Sequence, residues 1–323
     1  MQILKTRSAQ ECLEHAATLP PLKEIVGNLW HTSEIAIFFA DTGVGKSILA
    51  TQIAKCISEG TNLCNIRLKN TLPPSKVLYF DFELSDRQFH KRYTDDKGKA
   101  YAFNANFKRV VFSEGFLDYS EKDFDKKVVQ EIRSLVENEK SEILIIDNIT
   151  YLSLQNQSEG QNALVLMKEL KRLQLEKGIS ILILAHTPKR LSFNPLSVND
   201  LSGSKHLSNF VDSVFAVNFS TKGKEVRYLK HIKSRSSEII FHSSHVIECR
   251  LEKKEDFLGY EFLCVNWESM HLSQDDNEQL SEMEQLIITL SEEGKSQREI
   301  AKIAQCSVGK INSILKNVKK QGN

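Results

Sequence analysis

The sequence predicts an α/β fold with a mostly parallel central sheet, an antiparallel extension of that sheet, and a small all-α unit at the C-terminus. Three observations carry this. Apolar runs bounded by turns or polar stretches recur at 35–39, 77–80, 109–112, 143–146 and 181–184, the form of strands buried on both faces. Segments with helical spacing, at 47–57, 124–136 and 163–175, lie between them, so strand and helix alternate. After Asn209 the texture changes to closely spaced short strands, at 211–217, 226–232, 239–241, 246–251 and 260–265, which suit an antiparallel addition to the same sheet.

A chain of 323 residues accommodates one large domain and a small appendage. We expect an N-terminal arm over 1–30 packed on the main domain, a main domain over 31–268, a polar linker over 269–280 and a helical unit over 281–323. With 41% hydrophobic and 26% charged residues, and no run near the roughly 20 apolar residues of a membrane span, no membrane association is expected. The opening residues lack the apolar core and cleavage site of a secretory signal, so a cytoplasmic location is expected. Six cysteines are scattered without a C-x-x-C pair, which excludes a zinc or dithiol motif and suggests reduced thiols. A net charge of +1 excludes a wholly basic nucleic-acid coat, yet the tail from Gly294 onward sets seven cations against Glu299 alone.

The first crossover holds the strongest motif. Ala40-Asp-Thr-Gly-Val-Gly-Lys-Ser47 follows a predicted strand and opens a predicted helix, the context of a Walker A loop. Asp41, Thr42, Gly43, Val44, Gly45, Lys46, Ser47 and Ile48 are the expected ATP-binding residues. Backbone N–H groups there can wrap phosphates, and the helix start adds its positive dipole end. Lys46 would reach the β- and γ-phosphates, and Ser47 would place a hydroxyl on Mg²⁺. Ala40 stands where the pattern asks for glycine, and alanine is the smallest substitute.

Three later strands end in polar groups. Residues 143–146 run into Asp147, placed to order the Mg²⁺ water shell with Ser47. Residues 77–83 carry Asp81 and Glu83, both on one face by period-two alternation. Glu83, nearer the carboxyl end where ligands bind in open α/β sheets, is preferred as general base, and Asp81 competes. Residues 181–184 lead to His186, a candidate sensor of the γ-phosphate.

This ordered set, with Leu29-Trp30 ahead of it and Leu201-Ser-Gly-Ser-Lys205 behind, resembles the RecA-like P-loop ATPases of the hexameric helicase group, the RepA-type plasmid replication helicases above all. The resemblance spans roughly residues 20 to 265. It implies Glu83 as catalytic glutamate, Asp147 as Walker B acid and His186 as sensor. It also implies that Lys233 and Arg235, a Lys-x-Arg pair on a late strand, enter the neighbouring subunit's ATP site, where an arginine can be worth ~10³ or more in rate. The loops at 151–161 and 188–201 would line a central channel, with Lys189, Arg190 and Lys205 touching single-stranded DNA. A homo-oligomer, a hexamer in that group, with ATP and Mg²⁺ as cofactors, is thereby expected.

In the tail, 281–293, 296–305 and 307–320 read as short helices, the second opened by the capping box Ser296-Gln-Arg-Glu299 and the third by Ser307. Apolar stripes at 300, 301, 303, 304 and at 308, 311, 314, 315 face each other. The spacing resembles a helix-turn-helix, whose second helix enters a DNA major groove. Lys310, Asn312, Ser313 and Lys316 would then contact duplex DNA. A helical hairpin packing subunits together fits the same stripes. Two functions are therefore expected to compete: a DNA-dependent, helicase-like ATPase motor, or an ATP-switched DNA-binding regulator that never translocates. A RecA-like recombination or signalling ATPase is a third.

Overall fold

The computed structural model describes residues 5–64, 67–114, 124–149, 159–201, 204–274 and 276–321. The chain runs through α1 (Ala9–Thr18), β1 (Ile35–Ala40), α2 (Lys46–Glu59), β2 (Val77–Asp81), α3 (Asp86–Arg92), β3 (Phe107–Val110), α4 (Phe124–Glu139), β4 (Ile143–Asp147), α5 (Glu159–Lys177) and β5 (Ser180–His186). It continues through α6 (Ser204–Phe210), β6 (Ser213–Phe219), β7 (Val226–Ser234), β8 (Val246–Lys254), β9 (Phe257–Asn266), α7 (Asp276–Glu292), α8 (Gln297–Ala304) and α9 (Val308–Gln321).

Among the described residues, nine strands form one sheet in the order β3-β2-β4-β5-β1-β6-β7-β8-β9. Pairing is parallel from β3 through β6 and antiparallel from β6 through β9. This is the α/β class expected from the sequence, a mostly parallel sheet with an antiparallel extension, with one correction: the extension begins at β7, because β6 lies parallel to β1. Residues 239–241 form no strand either. Phe241 instead turns its side chain into the core, and its carbonyl accepts a bond of 2.7 Å from the His231 N–H.

The continuous apolar runs are explained by burial on both faces. Along β1, Ala36, Phe38 and Ala40 pack with Leu49, Ile53 and Ile57 of α2, while Ile35, Ile37 and Phe39 pack with Ile132 of α4 and Leu166 and Leu170 of α5. No helix among the described residues is long and apolar enough to cross a membrane.

The expected boundaries shift at both ends. Helix α1 buries no residue, whereas Ile25, Val26, Leu29 and Trp30 lie in the main core, so the arm is not packed as a unit and its second half belongs to the domain. The expected linker is likewise split. Glu268 is buried against Lys230 at 2.6 Å, a 3₁₀ turn spans Glu268–His271, and α7 already starts at Asp276. Helices α7, α8 and α9 enclose their own small core of Leu286, Ile287, Leu290, Ile300, Ala304, Ile311 and Ile314. The capping box at Ser296 is formed, and the Ser307 hydroxyl accepts from the Lys310 N–H.

Candidate active site

Strand β1 delivers the chain to residues 41–45, which turn back into α2. Gly43 and Gly45 take φ of 80° and 107°, in the left-handed region where L side chains are strained. Gly45 caps α2 with no side-chain bond, so no side chain of the cap occupies the first N–H groups of the helix, which is the arrangement an anion needs. Ala40 explains its own departure from the motif. It is the last residue of β1, in register with His186 and Val217, and has an ordinary strand backbone that calls for no glycine.

Lys46 is buried at the start of α2, and burial lowers its ammonium below the ordinary value despite the nearby Asp147 and Glu83 carboxylates. Its Nζ stands 3.2 Å from Nδ1 of His186. The other ring nitrogen, Nε2, is 3.2 Å from Oε1 of Glu83 and 2.8 Å from the Asn148 amide nitrogen. The Asn148 amide also donates to that carboxylate oxygen. The bond from His186 holds the Glu83 carboxyl below its usual range, with Lys46 and Arg92 adding to the effect against burial. Glu83 is thus an ionised acceptor within reach of the phosphate loop.

The end of β2 sets the two carboxylates apart. It stops at Asp81, so the alternation that put both on one face does not extend to Glu83. Asp81 turns away: its Oδ1 accepts from the N–H groups of Glu83 and Leu84, and its Oδ2 pairs with Arg109 at 2.9 Å.

Asp147, at the end of β4, is fully buried. Burial raises its carboxyl to about 6, with Glu83 adding and Ser47, Tyr79 and Lys46 opposing. Its Oδ2 accepts from the Tyr79 hydroxyl at 2.7 Å, while Oδ1 has no hydrogen-bond partner. A buried carboxylate oxygen left unpaired beside Ser47 suits a hard cation with its water shell, so the residues present fit Mg²⁺.

Sequence reasoning missed four residues here. Asn148 bonds Glu83, and Arg92, at the end of α3, acts on its charge while keeping a buried Nη1 without a partner. Arg227 and Tyr260, from β7 and β9, both donate to the carbonyl of Val44, at 3.1 and 2.6 Å. No local pattern marks these last two; the faint signal was a buried-type strand carrying an arginine at its start.

The other expected residues lie elsewhere. Lys233 and Arg235 stand at the amino-end edge of the parallel strands, opposite the phosphate loop. Lys233 donates to the carbonyls of Ser208 and Val211, and Arg235 to that of Asn209, with Asp212 3.5 Å away. Arg190 is not available to DNA as expected, because its guanidinium is nearly buried against Asp200 and the Asn194 carbonyl. Lys189 pairs with Glu293, the residue after α7. The expected channel loop at 188–201 is therefore packed beneath the helical unit, its Leu191 buried there, since an apolar side chain in that loop has a core within reach. The side chain of Lys205 and residues 151–158 of the other expected loop lie outside the described residues. Lys310, Asn312, Ser313 and Lys316 are all exposed on α9, Asn312 accepting from Gln297.

A family model described as an AAA domain matches residues 4–191. Among solved structures, a KaiC-like protein of the hyperthermophilic archaeon Pyrococcus horikoshii aligns with a TM-score of 0.49 and 15% identity, over 75% of this chain and 100% of its own. A search of curated proteins gives no match.

Proposed function

The chain belongs to the AAA domain family, and from that premise we propose that it is a homo-oligomeric, ring-forming ATPase that couples ATP hydrolysis at subunit interfaces to movement on DNA or its remodelling, in the replication or mobilisation of a plasmid or integrated element. The observation that carries the proposal is the convergence of Lys46, Glu83, Asn148 and His186 beside the open start of α2. ATP would lay its phosphates along Gly43 to Ser47, with Lys46 Nζ neutralising charge on the β- and γ-oxygens. Ser47 and Asp147 would hold Mg²⁺, which would supply further charge neutralisation on those phosphates. Glu83, kept ionised by His186, takes a proton from the attacking water as the γ-phosphoryl bond to the bridging oxygen breaks. His186, bonded to both Lys46 and Glu83, registers the presence of the γ-phosphate and passes it to β5.

Arg235 of one subunit, with Lys233, would complete the neighbour's site, which makes turnover depend on assembly. The exposed cations of α9 support contact with duplex DNA through phosphates. A second reading, an ATP-switched DNA-binding regulator, is favoured by the packing of 188–201 beneath the helical unit, which removes Arg190 from any channel. The test is ATP turnover of wild type and Lys46→Ala across protein concentrations, with and without single-stranded and duplex DNA, followed by strand separation on a forked duplex. Turnover that rises with concentration and DNA and vanishes in the variant supports a shared-site ATPase. Absence of turnover under every condition sinks it, and turnover without unwinding leaves the regulator.

A further inference from the structure

The loop after β5 joins the catalytic cluster to the C-terminal helical unit within a few residues. His186 bonds Lys46 and Glu83, and the next residue, Thr187, donates its hydroxyl to Asp41 of the phosphate loop. Lys189 pairs with Glu293 just after α7. Ser192 gives its backbone N–H and its hydroxyl to the two oxygens of Glu282, at 2.6 and 2.7 Å. Between these polar contacts Leu191 is 1% exposed and packs in one cluster with Leu286, Ile287 and Leu290 of α7. The seven residues from His186 to Ser192, six steps of the chain, reach at most about 20 Å fully extended, so the two attachments have little slack between them.

Carboxylates gather around this junction. Asp200 and Glu282 both act on the charge of Asp41, and the guanidinium of Arg190 is committed to Asp200 and the Asn194 carbonyl. Burial chiefly, and then Asp200 and Glu282 against Arg190, raises the Asp41 carboxyl above its ordinary value. A triphosphate seated on Gly43 to Ser47 adds several negative charges close to these carboxylates and withdraws Lys46 from His186. Both changes act against the contacts that hold the helical unit in place.

We propose that the surface formed by Glu282, Leu286, Ile287 and Leu290 of α7 and by Glu293 just after it is a clamp on the 189–193 loop, and that clamping and triphosphate binding oppose each other. The inference rests on the assignment of residues 41–48 as a triphosphate site. Coupling of this kind is reciprocal: whatever a bound triphosphate takes from the clamp, an engaged clamp takes from triphosphate affinity. The C-terminal unit is then a brake on the ATPase site. Any partner that draws the unit away, duplex DNA on α9 included, would raise ATP affinity.

The test is amide hydrogen exchange on the full chain with and without a non-hydrolysable ATP analogue, together with analogue affinity for wild type and Glu282→Ala. The expected result is protection of 43–48 and about 10-fold faster exchange at 189–193 and along α7, in the range usual for allosteric coupling. Amides of α8 and α9 should keep their protection, which marks release of a folded body and not melting. Glu282→Ala should bind the analogue several-fold more tightly, a gain that mere loss of structure does not give. Protection of 43–48 with unchanged or slower exchange at 189–193 and α7 overturns the clamp and leaves the ATPase assignment standing. No protection of 43–48 overturns both. If Glu282→Ala loses secondary structure, Lys189→Ala, which removes only the Glu293 pair, must show the same tightening or the clamp is wrong.

Discussion

At the carboxyl ends of the parallel strands, Lys46, Glu83, Asp147 and His186 crowd one spot with bonding capacity to spare. At the amino ends Lys171, Asp212, Lys233 and Arg235 are bound to one another and to backbone carbonyls. Asp212 there also accepts the N–H of Ile35 and so joins β1, α5 and the residue that follows β7. Residue types alone do not separate the two ends. What separates them is whether the bonds are filled. At the carboxyl end the unpaired Oδ1 of Asp147 lies among ionisable groups that face the phosphate loop, whereas at the amino end both oxygens of Asp212 are taken up by Ile35, Lys171 and Arg235.

The largest effect should come from Glu83→Gln, which keeps shape and removes the ionised acceptor. Turnover should fall about 10³-fold with nucleotide binding retained, as single-turnover kinetics and a binding titration would read. A variant within 10-fold of wild type would make the crowded end structural. Arg235→Ala sharpens the comparison from the other side. If the arginine serves a neighbouring subunit, turnover falls by on the order of 10² to 10³, and mixtures of wild type and variant depart from a linear dose. If its role is confined to the closed network, turnover stays and only the thermal midpoint drops.

A third effect concerns His231, buried at the same closed end against Ser213 and pushed down to about 4 by burial. A histidine kept neutral in the folded chain binds its proton only on unfolding. Its contribution is therefore complete above its ordinary value near 6.5 and is lost as pH falls toward 4. Stability should decline by on the order of 2 kcal/mol between pH 7 and pH 5, and His231→Asn should flatten that decline in thermal or denaturant unfolding. The smallest effect is at the phosphate loop's brace: Tyr260→Phe removes one of two donors to the Val44 carbonyl, costing about 1 kcal/mol and weakening nucleotide binding roughly 5-fold. Calorimetric titration reads this directly, and unchanged affinity would free the loop from its dependence on β9.

Much of this was legible in the residues. The strands announced themselves as apolar runs because they are buried on both faces, and the phosphate loop because two glycines at fixed spacing answer to two positive φ angles. Glu83, Asp147 and His186 were singled out because strand ends are where such a sheet binds ligands, and Glu83 and His186 do lie together. Alternation misled at Glu83, since the strand had already ended at Asp81. The brace from Arg227 and Tyr260 and the docking of Leu191 were not legible, because each joins segments far apart in sequence. Leu191 and Phe193 did carry a hint: apolar side chains in a loop expected to line an aqueous channel need somewhere to be buried.

The brace also has an evolutionary side. A Cβ on Gly43 would meet nothing within 4 Å, whereas one on Gly45 would lie 2.5 Å from the Tyr260 hydroxyl. The two glycines are thus unequal under substitution. Gly43→Ala carries only backbone strain, on the order of 1 kcal/mol, while Gly45→Ala carries strain and collision together. Replacing Tyr260 by Phe removes the colliding oxygen, so Gly45→Ala should do less further damage in that background than in wild type, a departure from additivity in the stability of the double variant. Positions 45 and 260 would then drift through sequence space as a linked pair, with position 43 free to explore alone.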